Sequence, residues 1–283
     1  MMKIGLVLGG GFARGAAQAG FLKGLLNYLQ PEEIALMSCS SIGAMNGLAL
    51  SNDNLDYLEY MYRNSNFQNT SNLKLNLKNK LVDQVLDELT NNHNEIRVPL
   101  YVTGTCLNSL STHYFYIDNK TPQEDLYKAI NITVTFPFVN GLYRKEYKRL
   151  YLDGGATDNI PVFPFFSCHV DLLIILHCYP RYLPPLKLIN SDTVVLDVDI
   201  AARCDNGIST YSFQTENLNK MFDVGVLYGK EFGQKVLIDR DLNNIKKRGQ
   251  AFMRAELPIR KMRKVPLSAA VFFNKLQQSR GFE

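Results

Sequence analysis

The chain has little of what several common function classes require. Its 283 residues include only four histidines, and they are scattered. His93 lies in an Asn-rich stretch, His113 beside a predicted strand, and His169 and His177 around a buried strand. Each reads as structural, so no histidine base and no metal cluster is expected. The five cysteines (Cys39, Cys106, Cys168, Cys178 and Cys204) are odd in number, with no CxxC pair and no metal-ligand spacing. That argues for thiols in a reducing compartment rather than a disulfide framework. No run of about 20 apolar residues occurs, and the N-terminal run Ile4–Leu8 stops at Gly9-Gly10-Gly11 with Arg14 soon after. Neither a spanning helix nor a secretory leader is expected. A net charge of +4 is too small to argue for nucleic acid. Repeats and low-complexity linkers are also missing. The expectation is a cytoplasmic protein that would reach any membrane peripherally, from outside.

What remains is ordinary globular composition, 46% hydrophobic and 20% charged, long enough for a sizeable core in a single domain, 1–283. Ile4–Leu8 is a short apolar run ended by glycines, which predicts a buried strand. From Ala13 to about Leu29 the period is helical, with Ala17, Phe21, Leu25 and Leu29 on one face. The small residues Gly15, Ala16, Ala19, Gly20 and Gly24 would let this helix lie close to a sheet. Ile34–Met37 predicts a second strand and Gly43–Leu50 a second helix, an α/β opening. Residues 52–96 are dense in asparagine and read as a surface insertion, with helices near 53–63 and 79–90 around an alternating segment, Leu73–Lys78. Strands are predicted at Pro99–Thr105, Tyr114–Ile117, Leu150–Leu152, Asp171–Leu176 and 193–200. Helices are predicted at 123–132, 210–236 and 266–278, the last two within a basic C-terminal region, 205–283. A proline-rich loop, Tyr179–Pro185, intervenes.

Three short segments carry chemistry, and each has a plainer use. The glycines of Gly9-Gly10-Gly11-Phe12-Ala13-Arg14-Gly15 leave the backbone bare, so its N–H groups can converge on an oxyanion before a helix N-terminus. Such a loop can equally cradle a nucleotide. Yet Gly9, Gly11 and Gly15 give GxGxxxG, the second strand does not end in an acid, and no P-loop Lys-Ser/Thr follows. In Cys39-Ser40-Ser41-Ile42-Gly43, Gly43 sets the register of a strand-to-helix elbow on Ser41, as in G-x-S-x-G. Cys39 stands where that pattern has its first glycine, and a serine N-cap is the alternative reading. In Asp153-Gly154-Gly155, the carboxylate sits between an apolar strand and a glycine turn. An ordinary Asp-Gly turn would look the same. Beside a serine, a buried carboxylate of raised pKa could take the hydroxyl proton directly. Asp158 competes, but its Asp-Asn-Ile-Pro setting reads as a turn orienting the Asp153 loop.

Together and in this order, the segments resemble the patatin-like phospholipase family. Leu6–Gly20 is similar to its glycine motif, with Phe12 where many members carry a fourth glycine, and Ser40–Asn46 to its elbow. Ile132–Pro137 is similar to the Ala-Ser-x-Ala-x-Pro segment, and Asp153-Gly154-Gly155 with Asn159–Val162 to the aspartate motif. The likeness covers 4–50 and 99–176, and the C-terminal hundred residues poorly. It implies a three-layer α/β/α fold with a mostly parallel central sheet and a Ser41–Asp153 dyad. It also implies hydrolysis of fatty acyl esters of phospholipids or related lipids through an acyl-serine, of the phospholipase A or lysophospholipase type, without cofactor. Gly10, Gly11 and Phe12 would supply oxyanion-hole N–H groups, and Arg14 would support the loop or meet a headgroup. The rival from another class is a non-catalytic lipid- or nucleotide-binding module, with Cys39 as the mark of a decayed elbow.

The substrate implied is an acyl-ester lipid, with a transient anionic membrane surface as partner. Lys246, Lys247, Arg248, Arg254, Arg260, Lys261, Arg263 and Lys264, interleaved with Phe252, Met253, Leu257, Ile259, Met262 and Val265, suggest a peripheral contact. A solvated helix and loop is the alternative there.

Overall fold

The computed structural model describes residues 2–64, 80–91, 95–136, 141–178, 189–204 and 213–262, and at 80–82 and 257–262 the backbone only. The Leu73–Lys78 segment, His93, the proline-rich loop and the helix expected at 266–278 lie outside these residues.

The first apolar run becomes β1 (Ile4–Leu8), buried throughout, and a 3-10 turn (Phe12–Arg14) leads into α1 (Gly15–Leu25). β2 (Ile34–Cys39) and α2 (Ile42–Ser51) form the second strand–helix pair. Residues 52–96, expected as a surface insertion, contribute α3 (Leu55–Asn64) and α4 (Lys80–Asn91), and Leu58, Tyr62, Leu86 and Leu89 of these helices are buried in the main core rather than lying on the surface. Then come β3 (Leu100–Cys106), β4 (Ser111–Ile117), α5 (Gln123–Thr133), β5 (Arg144–Glu146), β6 (Arg149–Asp153), β7 (Leu172–His177) and β8 (Val194–Asp199). The chain ends in α6 (Ala201–Cys204), α7 (Thr215–Val236) and α8 (Leu242–Met262).

The fold is mixed α/β, with a mostly parallel central sheet flanked by helices. Its parallel body is β3-β2-β1-β7-β8, and β4, β5 and β6 add an antiparallel margin. Alternation divides the strands between two cores. Leu6, Leu8, Ile174 and Leu176 pack with Phe21, Leu48 and Phe222 of the helices. Val7, Leu173 and Ile175 face the opposite side and are covered by Ile160, Val162 and Phe165.

Two of the small residues of α1, Gly20 and Gly24, serve a different neighbour from the one expected. A Cβ at Gly20 would lie 2.1 Å from Phe222 O, and one at Gly225 2.1 Å from Ala17 O. Gly24 and Gly229 repeat the contact one turn on. Glycine pairs at i,i+4 on both helices therefore let α1 and α7 cross with backbones touching, a helix–helix rather than a helix–sheet contact.

α8 runs from Leu242 to Met262 where a helix and loop was the plain reading. Its inward positions follow the helical period. Ile245 and Phe252 are buried, Phe252 stacking on Tyr228 at 5.8 Å. Glu256 is buried and paired with Arg203 at 2.6 Å. Arg248 donates to Val236 O at 3.0 Å and pairs with Asp239 at 2.8 Å, closing the C-terminus of α7.

Candidate active site

Three strand ends meet at one point. β1 and β2 are parallel, so the glycine loop and the elbow leave the sheet at the same edge. β4 occupies one side of β3 along its whole length. The other side is shared, with β2 pairing as far as Cys39↔Val102 and antiparallel β6 taking over at Asp153↔Gly104. β2 and β6 thus run toward each other along one edge, and their C-terminal ends meet. That brings Ser41 and Asp153, 112 residues apart, within 2.6 Å, the Ser41 hydroxyl donating to Asp153 Oδ2.

The elbow is a strained turn. Ser41 has φ 55° and ψ −131°, a conformation that costs a non-glycine residue on the order of 1–3 kcal/mol. Its N–H donates to Thr133 Oγ1 at 2.9 Å, and Ser40 is held on β1 through Leu8 O at 3.0 Å. Gly43 is required by close approach, since a Cβ there would lie 2.3 Å from Leu8 O. Cys39 fits because of a residue eight positions later. Its thiol sits where a Cβ at Gly47 would come within 2.6 Å of Sγ, so helix α2 leaves room for it. Cys39 is wholly buried, and burial pushes its thiol far above the ordinary range, which makes it a packing group and not a nucleophile.

The glycine loop is bound down from several sides. Gly9 N donates to Leu176 O at 2.9 Å. Gly10 N donates to Asn159 O at 3.2 Å, so one of the three expected oxyanion donors is engaged by the aspartate loop. Asn159 Nδ2 answers by donating to Gly10 O at 3.3 Å, which clasps the glycine loop to the aspartate loop. Gly11 packs over Cys178, and Phe12 has φ 50° with its ring edge-on to Phe136 at 4.7 Å. Arg14 is 5% exposed, and its guanidinium donates to Cys178 O at 3.0 Å. Behind the loop, Gln18 donates to Gly9 O at 3.0 Å and accepts from Asn46 at 2.9 Å, and Tyr62 donates to Asn46 at 3.1 Å. This buried chain of hydrogen bonds fixes the loop from below.

Asp153 is 4% exposed. Its Oδ1 accepts the Gly155 N–H at 2.7 Å, and its own N–H donates to Thr135 O at 2.7 Å. Burial pushes its carboxyl up to about 7, against the opposing pull of the Ser41 and Gly155 hydrogen bonds. A Cβ at Gly154 would meet Thr103 Oγ1 at 2.1 Å, so only glycine lets the turn lie against β3. Asp158 accepts the Tyr114 hydroxyl rather than Ser41, and burial raises it to about 6. Among the described histidines none bonds Ser41. His113 partners Tyr151, His169 partners Asn190, and His177 partners Asp197. No group of three potential metal ligands occurs among the described residues.

The family model described as Patatin-like phospholipase matches residues 6–166, more than half of the chain. The chain belongs to the patatin-like phospholipase family. Membership places this patatin-like protein among lipid hydrolases. It is similar to VipD from Legionella pneumophila, at 10% identity and TM-score 0.40, over 98% of this chain and 80% of that one. It is also similar to the type III effector protein ExoU, at 14% identity and TM-score 0.43, over 98% and 62%. ExoU in its heterodimeric complex with SpcU from Pseudomonas aeruginosa gives 16% identity and TM-score 0.39, over 92% and 60%. The chain thus spans about three fifths of the ExoU chains. A comparison with curated proteins finds no match. No described helix is long and apolar enough to cross a membrane.

Thr133 and Asn159 are the two site residues that sequence reasoning passed over as separate positions. Both stand inside segments quoted for the family likeness, and only the hydrogen bonds to Ser41 N and Gly10 O single them out.

Proposed function

We propose that this patatin-like protein is a serine acyl hydrolase of phospholipids, of the phospholipase A or lysophospholipase type, with Ser41 as nucleophile and Asp153 as base. The observation that carries the reading is the 2.6 Å hydrogen bond from a serine on a strained elbow to a buried carboxyl. With its carboxyl near 7, Asp153 is about half ionised at neutral pH, a useful poise for a group that must first take and then return a proton.

Ser41 Oγ attacks the ester carbonyl carbon while its proton passes to Asp153 Oδ2. The tetrahedral oxyanion is stabilised by the N–H groups of Gly11 and Phe12 at the start of the first helix, each aimed donor being worth ~10²–10³ in rate. Gly10, its N–H committed to Asn159, shapes the loop instead. As the intermediate collapses, the ester C–O bond breaks and the leaving alcohol takes the proton from Asp153. Water then attacks the acyl-serine, gives its proton to Asp153, and Ser41 leaves with that proton as the fatty acid departs. The substrate is an acyl-ester lipid met at an anionic membrane surface by a cytoplasmic, peripherally bound enzyme.

The test is hydrolysis of a soluble chromogenic short-chain ester. Ser41→Ala should lose it with the fold intact, and Ser40→Ala should keep it. Loss in Ser40→Ala with retention in Ser41→Ala would refute the assignment.

A further inference from the structure

Two hairpins lie side by side at the antiparallel margin of the sheet. Leu107 N donates to Leu150 O at 2.8 Å and Leu150 N to Asn108 Oδ1 at 2.8 Å, so the β3–β4 turn rests on β6. β5 and β6 are joined by two residues, Tyr147 and Lys148, between the paired Glu146 and Arg149. Their φ values are 50° and 60°, those of a type I′ turn, which ordinarily takes Asn-Gly. On the adjoining turn Leu110 has φ 51°. Among the described residues six non-glycine positions have positive φ. Ser41 and Phe12 belong to the candidate active site, and three of the other four sit on these two tips. Backbone strain gathers where function maintains it.

Packing accounts for Tyr147 but not for Leu110. Leu110 is 65% exposed and Tyr147 46% exposed. Tyr147 is held in place by its stack on Phe115 at 6.0 Å and its hydroxyl bond to Asp125 at 3.1 Å. Lys145, Lys148 and Arg149 are exposed beside them, against Glu146 within the hairpin and Asp125 at the Tyr147 hydroxyl. Leu142 and Tyr143, also exposed, precede Arg144, which pairs with Tyr151. They therefore stand at the same end of the hairpin as Asp153. In the described part of the basic segment at 246–264, Lys246, Lys247 and Arg254 are exposed, but Phe252 and Glu256 turn inward and Arg248 is tied to α7, so no large apolar side chain of that segment is exposed beside those charges among the described residues.

We propose that the β5–β6 hairpin, with Leu110 beside its tip, is the face that docks on an anionic phospholipid bilayer. Leu110 enters the headgroup region, Tyr147 braces the tip against α5, Lys145, Lys148 and Arg149 meet anionic headgroups, and Leu142 and Tyr143 line the approach to Ser41. The inference rests on the acyl hydrolase reading for its substrate, and on the hairpins alone for its surface.

The test is sedimentation of the protein with phosphatidylcholine vesicles, with and without phosphatidylserine, at low and high salt. Wild type should bind the phosphatidylserine vesicles and release as salt rises. Each basic residue is worth about fivefold, so K145Q/K148Q/R149Q should bind about a hundredfold more weakly. Leu110→Asn with Lys148→Gly relieves the strained positions. This variant should melt no lower than wild type yet bind about tenfold more weakly, and both variants should keep soluble-ester hydrolysis. Wild-type-like binding by both variants would overturn the docking face, as would binding indifferent to phosphatidylserine and salt. Tip-dependent vesicle binding by a protein inactive on the soluble ester would uphold the face and refute the Ser41–Asp153 reading instead.

Discussion

Replacing Asp153 by asparagine should stabilise the fold while removing the base, and the size of the gain should depend on pH. The carboxyl is raised from 3.8 to about 7, chiefly by burial. At about 1.4 kcal/mol per pH unit, that is a cost of about 4 kcal/mol for holding the ionised group in the folded chain. The sign follows from proton binding. Below pH 4 folded and unfolded chains both hold the proton, and nothing is lost. As pH rises toward 7 the unfolded chain has released it and the folded chain has not, so wild-type stability falls, and the loss is complete above 7. Asparagine escapes this titration. It can still accept the Gly155 N–H and can donate to Ser41 Oγ, so most of its packing survives. Urea denaturation should find Asp153→Asn about 2–4 kcal/mol more stable than wild type near pH 8, with the difference closing toward pH 4. Asp158, also raised by burial, titrates in both proteins and drops out of the comparison. On a soluble ester, wild-type kcat/KM should climb through about pH 7, and the variant should fall by ~10²–10⁴. A variant less stable than wild type by the same amount at pH 5 and pH 8 would refute the reasoning, because the carboxylate would then be comfortable where it sits.

Cys39→Gly should cost about 1–2 kcal/mol in urea denaturation, since it empties a buried site matched to Gly47 and loosens a strand end. Thr133→Val leaves the Ser41 N–H without its acceptor, which should cost about 1–3 kcal/mol and lower kcat more than it raises KM, with Thr133→Ser restoring both. Asp158→Asn should slow ester hydrolysis far less than Asp153→Asn, and Ser41→Ala/Asp153→Asn should be no slower than either single variant.

The parts of the site were legible because each needs an unusual local sequence. A glycine loop, an elbow that demands Gly43, and an Asp-Gly-Gly turn against a strand all show in a few consecutive residues, as do the apolar runs of β1, β2 and β7. What stayed hidden depends on register between distant segments. Nothing near Asp153 announces that β6 takes over from β2 at Gly104, and that head-on meeting sets the distance to Ser41. Cys39 looked like a flaw because Gly47, which makes room for it, stands two helical turns away. Gly10 looked like a donor until Asn159 claimed its N–H. The glycines of α1 needed Gly225 and Gly229 to explain them, and those lie two hundred residues on. Phe252 reads as an interfacial residue in sequence and as a core residue once α7 is beside it.

The central claim is that Ser41 is a nucleophile activated by Asp153, and trapping with a fluorophosphonate tests it most directly. Intact-protein mass spectrometry should find one adduct per chain, and peptide mapping should place it on Ser41. Labelling should be fastest above about pH 7, slowed strongly in Asp153→Asn, and lost in Ser41→Ala. Well-folded protein that takes no label, or that carries it on Ser40 or Cys39, would contradict the account.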